Sequence, residues 1–456
     1  MNQNKLTAGV IDIGTTKVVA IVGEYENDYS FNILGCGVVP SKGVKRGNVV
    51  NIINTVESIQ AALSLAQNQA GIKVNEVYVG IAGQNIYSRK SSFTANREFP
   101  NKEITKEEID EIIKKQYFIP TDFGEKIIEV IPKSISIDDN KIYNLEEIIG
   151  CIGKELKMEF NIVIGKVTNI KSIETCIDRA ELKLKKIFLE PIASARAVLY
   201  NEEFQKGTIL IDIGGGTSDI AVYHKGMLQH TNIIPLGGNT ITQDIEKNFN
   251  LTFNEAEQLK IKFGQAIYEE SQDKQIIIKN KIEGKEPITI DTKILSNVIK
   301  ARVEEILGFI EHDISLHITS NDRKNFDIVV TGGGALLKNL VPLIKFKLGM
   351  DTRIGYPNIY LKNTNAYNSP QFATAIGLLI MAFDDIKQNN NNLLNKNNQM
   401  INETNITTEA NKATENTETL KENDSEDNKK TKPIKKGIKT IQEFLSNLFN
   451  NNDTEI

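Results

Sequence analysis

The hydrophobic and polar positions of the chain follow two alternating periods over residues 1–386. Short apolar runs such as LTAGVIDIG and VVAIVGEY are typical of buried strands. Residues 52–70 instead repeat their apolar positions every three or four residues, which predicts an amphipathic helix that ends at Gly71. Because strands and helices alternate in this way along α/β domains, we predict an α/β fold for this part of the chain.

Residues 86–166 have a different pattern of apolar and polar positions from the segments on either side. Thr105 begins the sequence TKEE, a capping box that predicts a helix through Lys115. The segments KIIEVIPKSISIDD and KELKMEFNIVIGKV that follow are predicted to be strands. We therefore expect a small α+β insertion here.

Two strand–turn–strand units of the same kind, near residues 8–22 and 208–223, indicate an internal duplication. An aspartate, Asp12 or Asp212, ends the first strand of each unit, where an ionised carboxylate is costly unless a cation compensates it. The glycines that follow let backbone N–H groups approach a phosphate closely, and threonine hydroxyls add donors. One such hairpin alone also fits an ordinary tight turn, whereas two of them favour a shared polyphosphate.

Two hairpins of this kind that face each other would hold a polyphosphate from both sides. The predicted phosphate contacts are Gly14, Thr15, Thr16 and Lys17 in the first hairpin and Gly214, Gly215, Gly216 and Thr217 in the second. Asp12 and Asp212 would hold Mg²⁺, mostly through water, because this ion keeps its hydration shell. A third glycine cluster, Gly332, Gly333 and Gly334, is either an ordinary strand-to-helix turn or a close backbone contact with a nucleoside.

The composition changes sharply near residue 387. Residues 387–432 are rich in Asn, Thr, Glu and Lys, and we predict a disordered linker because such a segment cannot bury enough apolar surface to offset its ordering entropy. Residues 433–450 regain an apolar helical face, which predicts an amphipathic helix. Its predicted membrane contacts are Ile434, Lys435, Lys436, Ile438, Lys439, Ile441, Phe444, Leu445, Leu448 and Phe449. The phenylalanines and lysines favour an anionic lipid surface over the alternative, a docking peptide for a protein groove.

Charge and composition exclude several classes of protein. Lys and Arg number 54 and Asp and Glu number 59, so the net charge of −5 argues against a nucleic-acid coat protein. The cysteines form no CxxC pair, and the histidines show no metal-ligand spacing. Neither a signal peptide nor an apolar run of about 18 residues is present, so we expect the body of the protein in the cytosol.

The motifs DIGTTK, DIGGGTSD and TGGGA resemble those of the actin/Hsp70/sugar-kinase ATPase superfamily. The order of the parts is similar to one family within it, the bacterial cell-division protein FtsA. This resemblance is carried by GVIDIGTTKVVAIVGE, the insertion, EPIASARAVL, ILIDIGGGTSDIAVYHKGMLQHTNIIPLGGNTITQDI and the terminal amphipathic helix. It covers about residues 1–386 and that helix, and leaves only the linker unmatched.

The resemblance implies an actin-like ATPase fold, with two duplicated α/β halves around a nucleotide cleft and the α+β insertion in place of the usual actin subdomain. The implied ranges are 1–85, 167–205 and a C-terminal helix in 359–386 for the first half, 86–166 for the insertion, and 206–358 for the second half, with an outer subdomain at about 224–300. The linker (387–432) and the membrane helix (433–450) follow.

Roles for the glycine and aspartate motifs are also implied by the resemblance. Asp12 and Asp212 would surround Mg²⁺, while Thr15, Thr16 and Lys17 would contact the β- and γ-phosphates of ATP. The opposite side of the phosphates would lie in the second hairpin. The third cluster, Gly332, Gly333 and Gly334, would lie against the ribose and the α-phosphate.

Four further residues belong to the implied site or lie beside it. Three of them also have an ordinary structural explanation, and the fourth is expected to be structural. Glu257 and Lys260 would contact the adenosine from a helix, or they form an ordinary i,i+3 surface ion pair. Glu190 would orient the attacking water beside Asp212 as the second candidate catalytic residue, or it is a structural glutamate at a helix start. Asp219 is expected to be a structural residue of the second hairpin. Several members of this family turn ATP over slowly or not detectably, so weak or no ATPase activity is expected.

The function implied by the resemblance is that of a scaffold rather than a metabolic enzyme. ATP would favour self-association into filaments, and the terminal helix would hold these on the cytoplasmic side of the inner membrane at the division site. The outer subdomain at about 224–300 would receive the C-terminal peptide of FtsZ, and the insertion would support filament contacts and other divisome partners. The alternatives are a type IV pilus assembly protein resembling PilM, which ordinarily lacks such a terminal helix, and a small-molecule kinase of the same superfamily, which would leave that helix unexplained.

Overall fold

The computed structural model describes residues 6–27, 30–142, 145–272, 274–278, 287–319, 321–357 and 366–390. Its strands are β1 (Thr7–Ile13), β2 (Lys17–Asn27), β3 (Ser30–Pro40), β4 (Val44–Lys45), β5 (Asn48–Val49), β6 (Glu76–Ile81), β7 (Ile86–Asn96), β8 (Glu125–Ile137), β9 (Asn140–Ile142), β10 (Glu155–Lys166), β11 (Lys183–Leu189), β12 (Thr208–Ile213), β13 (Ser218–His224), β14 (Met227–Ile234), β15 (Gln275–Ile278), β16 (Ile288–Asp291), β17 (Asp327–Thr331) and β18 (Thr352–Ile354). Its helices are α1 (Ile52–Ala70), α2 (Lys106–Gln116), α3 (Leu145–Ile148), α4 (Val167–Arg179), α5 (Glu190–Val198), α6 (Asn201–Lys206), α7 (Gly238–Phe249), α8 (Phe253–Phe263), α9 (Thr292–Ser315), α10 (Leu340–Leu348) and α11 (373–390).

Two five-stranded sheets repeat one arrangement. The first has the order β11-β6-β1-β2-β3 and the second the order β14-β13-β12-β17-β18. In each sheet the strand that ends in a predicted cation ligand pairs antiparallel with the next strand (β1 with β2, β12 with β13) and parallel with a later one (β6, β17). The structure therefore confirms the predicted α/β fold with two halves built on the same plan.

Helices α5 and α11 pack between the two sheets. Their apolar side chains share one core with Val10 and Val19 of the first sheet and with Leu210 and Ala221 of the second. Burying such side chains contributes about 1.5–3 kcal/mol for each large aliphatic or aromatic one, which holds both halves to the helices. The helix expected within 359–386 lies at 373–390 and so continues four residues into the segment predicted as linker.

The inserted residues form a separate four-stranded sheet with the order β7-β10-β8-β9. Its buried side chains, Phe160 and Ile162 among them, pack under α2 and form a core of their own. The hydroxyl of Thr105 caps α2 by accepting from the Glu108 N–H at 3.3 Å. In a complete capping box the Glu108 carboxylate would accept from the backbone N–H of Thr105. It instead pairs with Arg97 Nε at 2.9 Å.

Side chains of the inserted sheet cover β14, an edge strand of the second half. Asn161 Nδ2 donates to the Leu228 carbonyl at 2.9 Å and to the Gln229 carbonyl at 3.1 Å. Ser88 Oγ donates to the Thr231 carbonyl at 3.1 Å. These bonds occupy carbonyl groups that an edge strand would otherwise leave open to another chain.

The predicted membrane helix and almost all of the predicted linker lie outside the described residues. None of the helices within the described ranges combines the length and the apolarity that crossing a bilayer requires.

Candidate nucleotide-binding site

The tips of the two acidic hairpins touch each other. A Cβ atom added to Gly215 would lie 1.8 Å from Thr16 Oγ1, and one added to Gly216 would lie 2.4 Å from Thr15 Oγ1. Real Cβ atoms do not come so close, so a side chain at either glycine would force the facing threonine to shift. The turn of the second hairpin is closed by the Gly214 N–H, which donates to the Thr217 carbonyl at 2.9 Å.

A cavity of about 420 Å³ lies between these hairpins and the third glycine cluster. This volume is within the range of about 300–1,000 Å³ that small-molecule sites occupy. The cavity is lined by all the residues predicted for phosphate, cation, nucleoside and water: Asp12, Gly14, Thr15, Thr16, Lys17, Glu190, Asp212, Gly214, Gly215, Gly216, Thr217, Glu257, Lys260, Gly332, Gly333 and Gly334. Asp219, which we expected to be structural, also lines it.

Five carboxyl groups line this cavity, and four of them have a raised pKa. Burial raises the pKa of Asp12 to about 6, and it raises the pKa of Asp212, Asp219 and Glu190 as well. The neighbouring carboxylates raise the pKa of Glu190 further. Asp219 Oδ1 is buried and has no hydrogen-bond partner within the described part of the chain. Carboxylates in this state are costly, and a cation would relieve the cost.

Lys17 faces these acids and contacts the two residues that precede α11. Burial lowers its pKa, while Asp12 and Asp212 act in the opposite direction. Lys17 Nζ donates to the Gln371 carbonyl at 2.6 Å and lies 4.8 Å from the centre of the Phe372 ring. The ammonium group is therefore held by a backbone carbonyl in the wall of the cavity.

The third glycine cluster requires glycine for two separate reasons. Gly332 has φ 82°, in the left-handed region, and a Cβ added there would lie 2.2 Å from Asp212 Oδ1. A Cβ added to Gly334 would lie 2.4 Å from Ile213 Cγ2, whereas Gly333 faces open space. The cluster is thus both a strand-to-helix connection after β17 and a wall of the cavity.

The Glu257–Lys260 pair is partly buried on α8 rather than exposed. Lys260 Nζ lies 2.8 Å from Glu257 Oε2, 2.8 Å from Thr242 Oγ1 and 3.0 Å from the Gly238 carbonyl. Burial lowers the pKa of Lys260, and Glu257 opposes that shift. The pair has the i,i+3 spacing of a surface ion pair, but the structure places it in the wall of the cavity.

Sequence reasoning missed the polar residues that α5 and α11 bring to the site. Ser194 Oγ donates to Asp212 Oδ2 at 2.6 Å, and Thr374 Oγ1 donates to the same oxygen at 3.3 Å. Ser194 follows Glu190 by four residues, so both lie on one face of α5, and this spacing was a usable signal. Thr374 carries no such signal, because its place depends on how α11 packs.

Comparisons with solved structures agree with this arrangement. The type IV pilus protein in the "PilM-PilN type IV pilus biogenesis complex" superposes with a TM-score of 0.60 at 14% identity, over 83% of this chain and 98% of that one. MreB5 of Spiroplasma citri bound to ADP superposes with a TM-score of 0.53 at 15% identity, over 85% and 98%. Two duplicated halves, acidic hairpins and a cleft between them define an actin-like ATPase fold, as we expected.

Sequence relatives identify the family within this class of fold. "Cell division protein FtsA" of Neisseria meningitidis serogroup B is 35% identical over 83% of this chain and 91% of the relative. The protein of the same description from Bacillus subtilis is 33% identical over 84% of each. The family model "Cell division protein FtsA" matches residues 209–377, and the model "Type IV pilus assembly protein PilM" matches residues 10–272, which agrees with the shared actin-like fold. The chain belongs to the FtsA family of cell division proteins.

Proposed function

We propose that this protein binds ATP, polymerises on the inner membrane face, tethers FtsZ filaments there and recruits other divisome components. The observation that carries the proposal is the cleft in which two acidic hairpins, a glycine wall and a Glu–Lys pair face one cavity. FtsA family membership favours this function over the alternatives of a pilus assembly protein or a small-molecule kinase. Electron microscopy of the protein on lipid monolayers, with and without ATP, tests it: filaments that need both lipid and ATP are expected, and bare monolayers in both cases would contradict it.

The residues of the cleft fit Mg²⁺ and a polyphosphate. Asp12 and Asp212 would hold the hydration shell of the cation, and the unpartnered oxygen of Asp219 is a further acceptor for it. When bound, Mg²⁺ would neutralise charge on the β- and γ-phosphates. Lys17 would leave the Gln371 carbonyl and contact the same oxygens. Glu190 would orient the attacking water, and burial raises the pKa of this carboxyl group.

Asp12 should make binding of Mg-ATP depend on pH. The cation binds the ionised carboxylate, and this group titrates at about pH 6 in the ligand-free protein. Affinity should therefore rise about tenfold between pH 5 and pH 7. The stability of the ligand-free fold should depend on pH in the opposite direction. Between about pH 4 and about pH 6, Asp12 keeps a proton in the folded protein that the unfolded chain has released, so stability should fall as the pH rises through this range.

A fluorescent ATP titration at three pH values measures this dependence. Asp12→Asn is the reference, since protonation of the nucleotide itself adds the same slope to both proteins. If the affinity for ATP changes with pH equally in the two proteins, Asp12 does not titrate in the site.

A groove between α7 and α9 supports the FtsZ contact that we propose for the outer part of the second half. Its volume is about 430 Å³, and Ile294, Val298 and Ala301 give it an apolar side. Arg302 lines it too and pairs with Asp244 at 2.5 Å. Such a groove suits a short amphipathic peptide, which would pack apolar side chains on α9 and place its charges near the ion pair.

Ile294→Asp should weaken binding of the FtsZ C-terminal peptide about tenfold, because a charge replaces an apolar contact of the groove. Fluorescence anisotropy of a labelled peptide measures the effect. Phe309→Asp is the matched control: Phe309 is also half-exposed on α9 but does not line the groove. Equal losses in both variants, or none in Ile294→Asp, would place the peptide elsewhere.

The domain boundaries remain part of this proposal. We propose that 1–85 and 167–205, with α11, form the first half, that 206–358 forms the second, and that the inserted sheet at 86–166 supports filament contacts. The rest of the linker, after α11 ends at residue 390, and the amphipathic helix (433–450) would attach filaments to anionic lipid, and many weak attachments along one filament would add up to firm binding.

A further inference from the structure

We infer that Ser194 and Thr374 are positioning residues for the cation site: their hydroxyls hold one oxygen of Asp212 and leave the other to the hydration shell of the cation. This inference rests on the proposed nucleotide function. It adds to that function two residues, on two different helices, that belong to neither acidic hairpin.

The two hydroxyls converge on the same carboxylate oxygen. Ser194 Oγ lies 2.6 Å from Asp212 Oδ2, a distance typical of a hydrogen bond to an ionised acceptor. Thr374 Oγ1 lies 3.3 Å from that oxygen and 3.1 Å from Ser194 Oγ. The other oxygen, Oδ1, faces Gly332, where even a Cβ atom would come within 2.2 Å of it. Both side-chain hydrogen bonds that Asp212 accepts among the described residues go to Oδ2, so Oδ1 is the oxygen that remains for a ligand in the cavity.

Neutral donors solve a particular problem of this cleft. Asp212 is 7% exposed and shares the cavity with four further carboxyl groups. A second lysine would stabilise its ionised form but would also compete with the incoming cation for the same charge. Two hydroxyl groups stabilise and orient the carboxylate without that competition, so Asp212 is preorganised before the cation binds.

The crossing of α5 and α11 fixes the distance between the two hydroxyls. A Cβ atom added to Gly377 would lie 1.7 Å from the carbonyl oxygen of Ala193 and 2.2 Å from its carbonyl carbon. Gly377 follows Thr374 by three residues, almost one helical turn, and Ala193 precedes Ser194. The helices are thus in backbone contact beside the pair. Arg196 of α5 also pairs with Asp384 of α11 at 2.5 Å, farther from the site.

The test compares nucleotide affinity with Mg²⁺ and with EDTA in four proteins. Ser194→Ala removes one hydroxyl, Thr374→Val removes the other at nearly constant shape, and Thr374→Ser restores it. A fluorescent ATP analogue is titrated into each variant and into the wild-type protein. We expect the Mg²⁺-dependent gain in affinity to fall about tenfold in Ser194→Ala and about threefold in Thr374→Val, with Thr374→Ser close to wild type. Affinity in EDTA should not change.

Several outcomes would overturn the inference. It fails if the Mg²⁺-dependent gain is unchanged in both variants, or if affinity falls equally in Mg²⁺ and in EDTA, which indicates a structural role. If Ser194→Ala does not fold, the Thr374→Val and Thr374→Ser pair decides by the same criterion. A wild-type protein that binds no ATP even with Mg²⁺ overturns the proposed function and this inference with it, so that failure is distinguishable from the others.

Discussion

Asp212→Ala is expected to weaken binding of Mg-ATP by about 30-fold to 1,000-fold while the ligand-free protein becomes no less stable. Loss of a buried charged partner costs about 2–4 kcal/mol of binding free energy, which gives the fall in affinity. Stability should stay level or rise, because burial raises the pKa of Asp212 and the folded state therefore disfavours its ionised form at neutral pH. The hydroxyls of Ser194 and Thr374 are 3.1 Å apart and can bond to each other once the carboxylate is gone.

Two measurements check this opposite behaviour of affinity and stability. A fluorescent ATP titration gives the affinity, and thermal unfolding followed by circular dichroism gives the stability without ligand. Asp351→Ala is the control: Lys345 lowers the pKa of this exposed aspartate, so its removal should cost a little stability and leave binding unchanged. A destabilised Asp212→Ala protein with unchanged affinity would make Asp212 a structural residue of its hairpin.

The acidic hairpins could be predicted from the sequence because each is a local pattern. An apolar strand, an aspartate, two or more small residues and a second apolar strand lie within about 15 residues, and the same pattern occurs twice. Strand pairing within each unit then follows from the turn. The two units meet at one cavity because both sheets pack on α5 and α11, whereas the duplicated motif indicated only that the two halves share a plan.

The contacts of α5 and α11 could not be predicted in the same way. Ser194 and Thr374 meet Asp212 across sequence separations of 18 and 162 residues, and the apolar pattern of α11 shows only that the helix is buried. Which turn of a buried helix lies at a site depends on a close crossing such as that of Gly377 with Ala193. The docking of the inserted sheet on β14 could not be predicted either, because single side chains make its hydrogen bonds to backbone carbonyls.

Leu445→Asp is expected to release the protein from anionic vesicles, with a loss of membrane affinity of roughly 100-fold. The apolar face of the predicted helix loses one large aliphatic side chain and gains a charge that anionic lipid repels, which together cost about 3 kcal/mol. This helix lies outside the described residues, so the expectation comes from the spacing of its apolar positions alone. Sedimentation with vesicles that contain phosphatidylglycerol, without nucleotide, measures the loss while filaments do not multiply the attachments.

Asn447→Asp is the matched control for that experiment, because it adds the same charge on the opposite, polar face of the helix two residues further along. It should weaken binding only through repulsion, by about fivefold. When ATP is added, the difference in membrane affinity between the two variants should increase. Every subunit of a filament carries the same substitution, so the losses of affinity combine. Equal binding of both variants would show that no amphipathic face meets the lipid, and the segment would then be a docking peptide for a protein groove.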